Sequence, residues 1–118
     1  MAQRLCRIEE IGEFGKDLAL PHAEGTRYLM LFRRDGRVVA YDNVCPHHGL
    51  GLNLAPGRFH FTRDGWLMCA HHGASFDLET GSCVSGPCRG AALKPATVEV
   101  RGQEVWLTDP DTAAGGSE

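Results

Sequence analysis

Short apolar runs of about five residues alternate with turn residues along most of the chain. Residues 28–32 and 38–41 are apolar, β-branched or aromatic, and Asp35 and Gly36 lie between them. An Asp-Gly pair in that place is a strong signal for a β-hairpin. The arrangement recurs twice: residues 58–62 and 66–69 flank Asp64 and Gly65, and residues 97–100 and 104–107 flank a turn at 101–103. The pattern predicts three hairpins.

Two further strands are predicted near the start of the chain, over residues 4–8 and 18–20, and residues 8–11 favour a single helical turn. Residues 45–57 and 69–95 are rich in Gly, Pro and His and are predicted to be ordered loops. Because the chain has fifteen glycines and six prolines, turns are favoured over helices. We therefore predict an all-β fold.

Length and charge narrow the function classes. The 118 residues suffice for one domain with one core. Twelve basic against fifteen acidic side chains give a net charge of −3, which disfavours nucleic acid as a partner. The apolar run at residues 28–32, which no other run exceeds in length, is far shorter than the roughly 20 residues of a membrane span. The first seven residues lack the apolar segment of a secretory signal, so we expect a cytoplasmic protein.

Two matched segments contain the candidate chemistry. Cys45-Pro46-His47-His48-Gly49 is echoed by Cys69-Ala70-His71-His72-Gly73, and each follows a predicted strand. Thiolates with imidazoles suit a metal of intermediate softness. The pairs Cys45 with His48 and Cys69 with His72 have the spacing of a tetrahedral zinc site. The set Cys45, His47, Cys69 and His72 instead has the spacing of a Rieske [2Fe–2S] centre. Spacing alone leaves both open.

The residues around these segments resemble the Rieske family over about 27–107. Residues 41–47 are similar to the start of the family's first cluster loop, and residues 69–77, with Thr80 and Gly81, to its second. Residues 85–87 resemble the third, proline-containing loop. The 21 residues between His47 and Cys69 are a few more than is typical of short Rieske ferredoxins, and the hairpin at Asp64 and Gly65 accounts for them.

This resemblance implies an antiparallel β-sandwich or barrel-like base with a small cluster-binding subdomain built on two loops. It implies one domain over residues 1–110, with the subdomain at about 43–92 and a flexible tail at 111–118. It also implies one Rieske-type [2Fe–2S] cluster per chain, with Cys45 and Cys69 on one iron and His47 and His72 on the other.

The resemblance further indicates a low reduction potential. In the high-potential proteins of respiratory cytochrome bc complexes, a Ser and a Tyr donate hydrogen bonds to sulfur, and a disulfide joins the two loops. The matching positions here are Ala74 and Phe76 for the hydroxyls, and Leu50 and His71 for the disulfide. We expect a centre like those of ferredoxins that supply aromatic-ring oxygenases.

The implied function is that of a soluble, monomeric one-electron carrier between a flavin-dependent reductase and a terminal oxygenase. We expect no catalysis by the chain alone, because neither a mononuclear iron triad nor a nucleotide-binding fingerprint is recognisable. Two alternatives are a small Rieske subunit of a larger oxidoreductase, such as a nitrite reductase, and a structural zinc module. Cys83 and Cys88 are expected to be reduced thiols rather than a local disulfide.

Overall fold

The computed structural model describes residues 2–22, 25–44, 51–53, 55, 57–70, 73–86 and 90–108. Within these residues, ten strands and one 3-10 helix follow one another in chain order. They are β1 (Gln3–Arg7), the 3-10 helix (Ile8–Glu10), β2 (Lys16–His22), β3 (Gly25–Arg34), β4 (Arg37–Asp42), β5 (His60–Phe61), β6 (Leu67–Met68), β7 (Ser75–Phe76), β8 (Cys83–Ser85), β9 (Val98–Arg101) and β10 (Glu104–Leu107).

The strands form three antiparallel sheets, in the orders β1-β10-β9, β2-β3-β4 and β5-β6-β7-β8. The first two sheets form the base of the molecule. They approach each other at β4, where the N–H of Ala96 donates to the carbonyl of Ala40 over 3.0 Å, and Tyr41 bridges to Pro95. The all-β prediction is confirmed, with a base of two joined sheets and a third, smaller sheet.

β3 is buried on both of its faces. Leu29 and Leu31 belong to the core between the two base sheets, whereas Met30 and Phe32 belong to a second core beneath the four-stranded sheet. Successive side chains of a strand point to opposite faces, so one apolar residue after another is needed to serve two cores. This explains why residues 29–32 form an unbroken apolar run instead of alternating with polar residues.

The three predicted hairpins are all present. Between β3 and β4, Asp35 and Gly36 have φ values of 51° and 79°, as a two-residue hairpin turn with the correct twist requires. The prediction that residues 69–95 form only loops was wrong, because β7 and β8 lie there and pair with each other. Strands of two or three residues are too short to show a period of two.

Tyr41 connects the base to the four-stranded sheet. Its ring is 5% exposed, and its hydroxyl donates to the carbonyl of Leu78 over 2.6 Å. A Cβ on Gly81 would lie 2.9 Å from this ring, so the turn between β7 and β8 packs directly on it. Burial raises the pKa of the Tyr41 phenol, and the nearby Asp77 carboxylate raises it further. The phenol therefore remains a neutral donor that holds this turn to the base.

No helix among the residues that the structure describes is long and apolar enough to cross a membrane.

Candidate metal centre

Cys69 follows β6 directly and begins a tight turn to β7. Its N–H donates to the carbonyl of Ala74 over 2.7 Å, and its own carbonyl accepts the N–H of Gly73 over 2.9 Å. Gly73 has a φ of 77°, a conformation that residues with a Cβ seldom adopt. The Cys69 side chain is fully buried in the second core. The turn therefore holds the sulfur of Cys69 in a fixed, apolar position.

The segments on either side of the first motif lie beside this turn. The side-chain carbonyl of Asn43, two residues before Cys45, accepts the N–H of Leu52 over 2.8 Å. The carbonyl of Leu52 in turn accepts the N–H of Ala70 over 2.9 Å. The two flanks of the first motif are thus joined to each other, and one of them is joined to the second motif.

A largely buried ion pair fixes the end of β4 just before the first motif. The Nε of Arg27 lies 2.9 Å from a carboxylate oxygen of Asp42, and the two side chains are 9% and 16% exposed. The Nζ of Lys94 lies 3.9 Å from the other oxygen. The Asp42 N–H also donates to the carbonyl of Lys94 over 2.9 Å. The chain therefore leaves β4 from a well-anchored point.

One face of the β6–β7 hairpin surrounds the Cys69 sulfur. Leu67 pairs with Phe76, and Met68 pairs with Ser75. Since paired residues share a face, Ala74 and Phe76 lie on the same side as Cys69, and Ser75 lies on the opposite side. Ala74 and Phe76 are both fully buried. Ser75 therefore points away from the Cys69 sulfur, and the face that carries Cys69 has no hydroxyl at position 74 or 76.

The segment after β8 packs against the same hairpin. Gly86 has a φ of 100°, and a Cβ on it would lie 2.7 Å from the Cα of Ala74. Only glycine fits such an approach between two backbones without displacement. Gly86 belongs to the segment that resembles the third loop of the family, and its contact with Ala74 brings that segment against the Cys69 hairpin.

The other cysteines differ in their surroundings. Cys6, a residue of β1, is a buried free thiol, and burial together with the nearby Glu10 carboxylate raises its pKa. The Cys83 thiol is buried, and its sulfur donates to the carbonyl of Ser85 over 3.3 Å. Cys88 lies outside the described residues, so the expectation of two reduced thiols remains a prediction.

Of the predicted ligands, Cys69 is described, whereas Cys45, His47 and His72 lie outside the described residues. Within the described segments no group of three His, Cys, Asp or Glu residues comes together. The surroundings of Cys69 nevertheless fit an iron–sulfur cluster, because its backbone is hydrogen-bonded to Gly73 and Ala74 and its side chain is enclosed by apolar side chains that exclude water. A soft thiolate in that setting suits iron better than a hard cation such as magnesium or calcium.

The amide side chains of Asn43 and Asn53 were missed by the sequence analysis. Asn43 is 9% exposed and donates through Nδ2 to Oδ1 of Asn53 over 2.9 Å. The only signal in the sequence was the place of Asn43 immediately before the first motif. An asparagine in a loop region usually indicates a turn, so the signal was too weak to assign a role.

Comparisons with known proteins all indicate the same family. The profile of the Rieske [2Fe–2S] domain matches residues 3–99. The ferredoxin component of the alkene monooxygenase system of Xanthobacter autotrophicus is 32% identical over 107 residues, which cover 90% of this chain and 80% of that protein.

Solved structures share the fold. A ferredoxin of Sphingomonas yanoikuyae B1 superposes with a TM-score of 0.70 at 27% identity, over 93% of this chain and 100% of that one. A chain from the complex of reduced oxygenase and oxidised ferredoxin in carbazole 1,9a-dioxygenase gives 0.69 at 23% identity, over 90% and 91%. The chain therefore belongs to the Rieske [2Fe–2S] domain family, as an electron-transfer component with a Rieske-type cluster and not as a catalytic subunit.

Proposed function

We propose that this chain carries single electrons from a flavin-dependent reductase to a terminal oxygenase, with its cluster bound by Cys45, His47, Cys69 and His72. The observation that supports this ligand set best is the hydrogen-bonded series from Asn43 through Leu52 to Ala70. That series joins the flanks of the first motif to the residue that follows Cys69. In each of the two motifs the Cys precedes the His, as in the Rieske family.

When bound, the cluster would supply one-electron chemistry at a potential that its ligands and surroundings set. The described residues determine those surroundings. The face formed by Leu67, Ala74 and Phe76 keeps water away from the Cys69 sulfur and offers it no hydroxyl donor. Without a hydroxyl donor from positions 74 and 76, the reduced and more negative state is stabilised less than in a centre that has such donors. We therefore propose a low potential within the Rieske range.

The partners are proposed from the alkene monooxygenase relative, whose name states that it is the ferredoxin of an oxygenase system. A ferredoxin of that kind needs a reductase as electron donor and an oxygenase as acceptor. We further propose a monomer in the cytoplasm, with residues 1–110 as one domain and residues 43–92 as its cluster-binding part. The net charge of −3 is compatible with a carrier that stays soluble while it exchanges between partners.

Electron paramagnetic resonance of the dithionite-reduced protein tests the ligand set. We expect red-brown protein and a rhombic signal whose average g lies below that of an all-cysteine [2Fe–2S] ferredoxin measured alongside, because two imidazoles in place of two thiolates change the ligand field of one iron. Iron and acid-labile sulfide should be present at about two each per chain. Colourless protein with one zinc and no sulfide would contradict the proposal. Stable co-purification with a large chain from the native host would favour a permanent subunit over a free carrier.

Ala74→Ser tests the reason given for the low potential. A hydroxyl on the Cys69 face should donate to sulfur and stabilise the reduced state, which raises the potential. A tenfold change in a one-electron equilibrium corresponds to about 59 mV, and we expect a rise of a few tens of millivolts. The control is Ser75→Ala, which removes a hydroxyl from the opposite face and should leave the potential unchanged. An unchanged potential in Ala74→Ser would refute the explanation.

A further inference from the structure

The side chains of Asn43, Asn53 and Asp17 form a continuous hydrogen-bonded series beside the Cys69 turn. We infer that these three are positioning residues that fix the spacing between the two cluster-binding segments. The inference rests on the ligand set proposed above. None of the three belongs to that set, and they act through hydrogen bonds to one another and to nearby backbone groups.

Asn43 joins the two flanks of the first motif. Its Oδ1 accepts the N–H of Leu52 over 2.8 Å, and its Nδ2 donates to Oδ1 of Asn53 over 2.9 Å. A Cβ on Gly51 would lie 3.4 Å from both polar atoms of the Asn43 amide, so residue 51 passes closely over it. Because Asn43 is 9% exposed, water has little access to replace either bond.

Asn53 and Asp17 connect this pair to the base sheet. The Nδ2 of Asn53 donates to Oδ2 of Asp17 over 3.3 Å and to the carbonyl of Ala55 over 2.9 Å. The other oxygen of Asp17, Oδ1, accepts the N–H of Gly57 over 2.7 Å. Asp17 lies on β2 opposite Met30 of β3, so its position is set by the sheet.

Each hydrogen bond in this series orients the side chain that follows it. β2 holds Asp17, Asp17 orients the Asn53 amide, and Asn53 orients the Asn43 amide. Asn43 then fixes the position of the Leu52 backbone by accepting the Leu52 N–H. The carbonyl of Leu52 accepts the N–H of Ala70, the residue that directly follows Cys69. Polar groups that hydrogen-bond in such a network are oriented more tightly than isolated pairs. Removing one amide should therefore alter the relation between the two segments and not only the overall stability.

Asn43→Ala is the first test. It removes two side-chain hydrogen bonds at a poorly exposed site, which is enough for roughly a tenfold change in an equilibrium. We expect the cluster to be lost about tenfold faster in excess chelator, as followed by visible absorbance. The reduced protein should also show broadened or displaced g values and a changed reduction potential, because the ligand geometry is less well fixed.

Thr62→Ala is the matched control. Thr62 accepts the N–H of Trp66 through its hydroxyl over 3.1 Å, in the turn between β5 and β6. This variant also removes a side-chain-to-backbone bond, but one that does not join the two motifs. We expect Thr62→Ala to keep the g values and the reduction potential of the wild type, even if its thermal stability changes. If Thr62→Ala and Asn43→Ala change the spectrum equally, the positioning role is wrong.

A donor–acceptor exchange between Asp17 and Asn53 gives a second, independent test. Asn53→Asp sets two carboxylates against each other where the present contact is 3.3 Å, and the cluster should be lost at least tenfold faster. Adding Asp17→Asn restores a donor to that contact and keeps an acceptor for the Gly57 N–H. We expect the double variant to lose its cluster at least threefold more slowly than Asn53→Asp alone.

The outcomes separate this inference from the proposed function. A wild-type spectrum without the rhombic signal refutes the ligand set. A normal wild-type spectrum together with an unaltered Asn43→Ala, or with no recovery in the double variant, refutes the positioning role while leaving the ligand set intact.

Discussion

Replacing His72 with cysteine is expected to lower the reduction potential by about 100 mV while leaving part of the protein loaded with cluster. All-cysteine ferredoxins of the plant type lie near −400 mV, whereas the low end of the Rieske range is about −150 mV. That difference of about 250 mV reflects two imidazoles replaced by two thiolates. Replacing one imidazole should give roughly half of this potential difference. The one added thiolate makes the cluster more negative and so disfavours the extra electron. The potential can be measured by a dye-mediated redox titration.

The adjacent histidine provides the control for this prediction. His71→Cys makes the same chemical change one position earlier, at a residue that is not among the proposed ligands. It should retain the wild-type potential and rhombic spectrum. If His71→Cys shifts the potential and His72→Cys does not, the Cys-x-x-His spacing has been assigned to the wrong histidine.

Gly86→Ala is expected to destabilise the protein by about 3 kcal/mol, the largest effect that we predict away from the ligands. The new Cβ would lie 2.7 Å from the Cα of Ala74, and neither backbone can move without disturbing the Cys69 hairpin. Overpacking of this kind costs about 1–3 kcal/mol, and the φ of 100° adds about 1–2 kcal/mol for a residue with a Cβ. Since about 1 kcal/mol corresponds to roughly 4 °C, the midpoint of cluster loss on heating should fall by about 12 °C.

Gly90→Ala separates the two contributions. Gly90 has nearly the same φ, 94°, but none of the residues that the structure describes places an atom within 4 Å of a Cβ there. This variant should show only the conformational cost, about 1–2 kcal/mol, and a midpoint about 4–8 °C lower. Equal losses in the two variants would show that the approach of Gly86 to Ala74 contributes nothing.

The sequence predicted much of the base because its signals are local. Asp35 and Gly36 specify a turn whose φ values the structure confirms, and the apolar runs beside them become β3 and β4. The short strands β7 and β8 could not be predicted, because they depend on pairing with each other and on the approach of Gly86. The same holds for the Asn43 amide. Its partners follow nine and ten residues later, and only the folded chain brings them within 2.9 Å.

The ligand set depended on a different kind of signal. The two matched segments drew attention to Cys69, and the structure shows its side chain fully buried on a rigid turn. Spacing could not distinguish zinc from an iron pair, because each motif contains two adjacent histidines. The residues around the motifs resolved the family, and the match over residues 3–99 confirms that interpretation.

The side chains of β3 alternate between the two hydrophobic cores, so β3 belongs to both. Neither core can unfold without removing packing contacts from the other. Heat or denaturant should consequently disrupt both in a single cooperative event instead of melting the iron-binding end first. A carrier organised in this way resists partial opening, which would expose its redox centre to oxygen and chelators. Its lifetime in the cell would then be governed by the unfolding of the whole molecule.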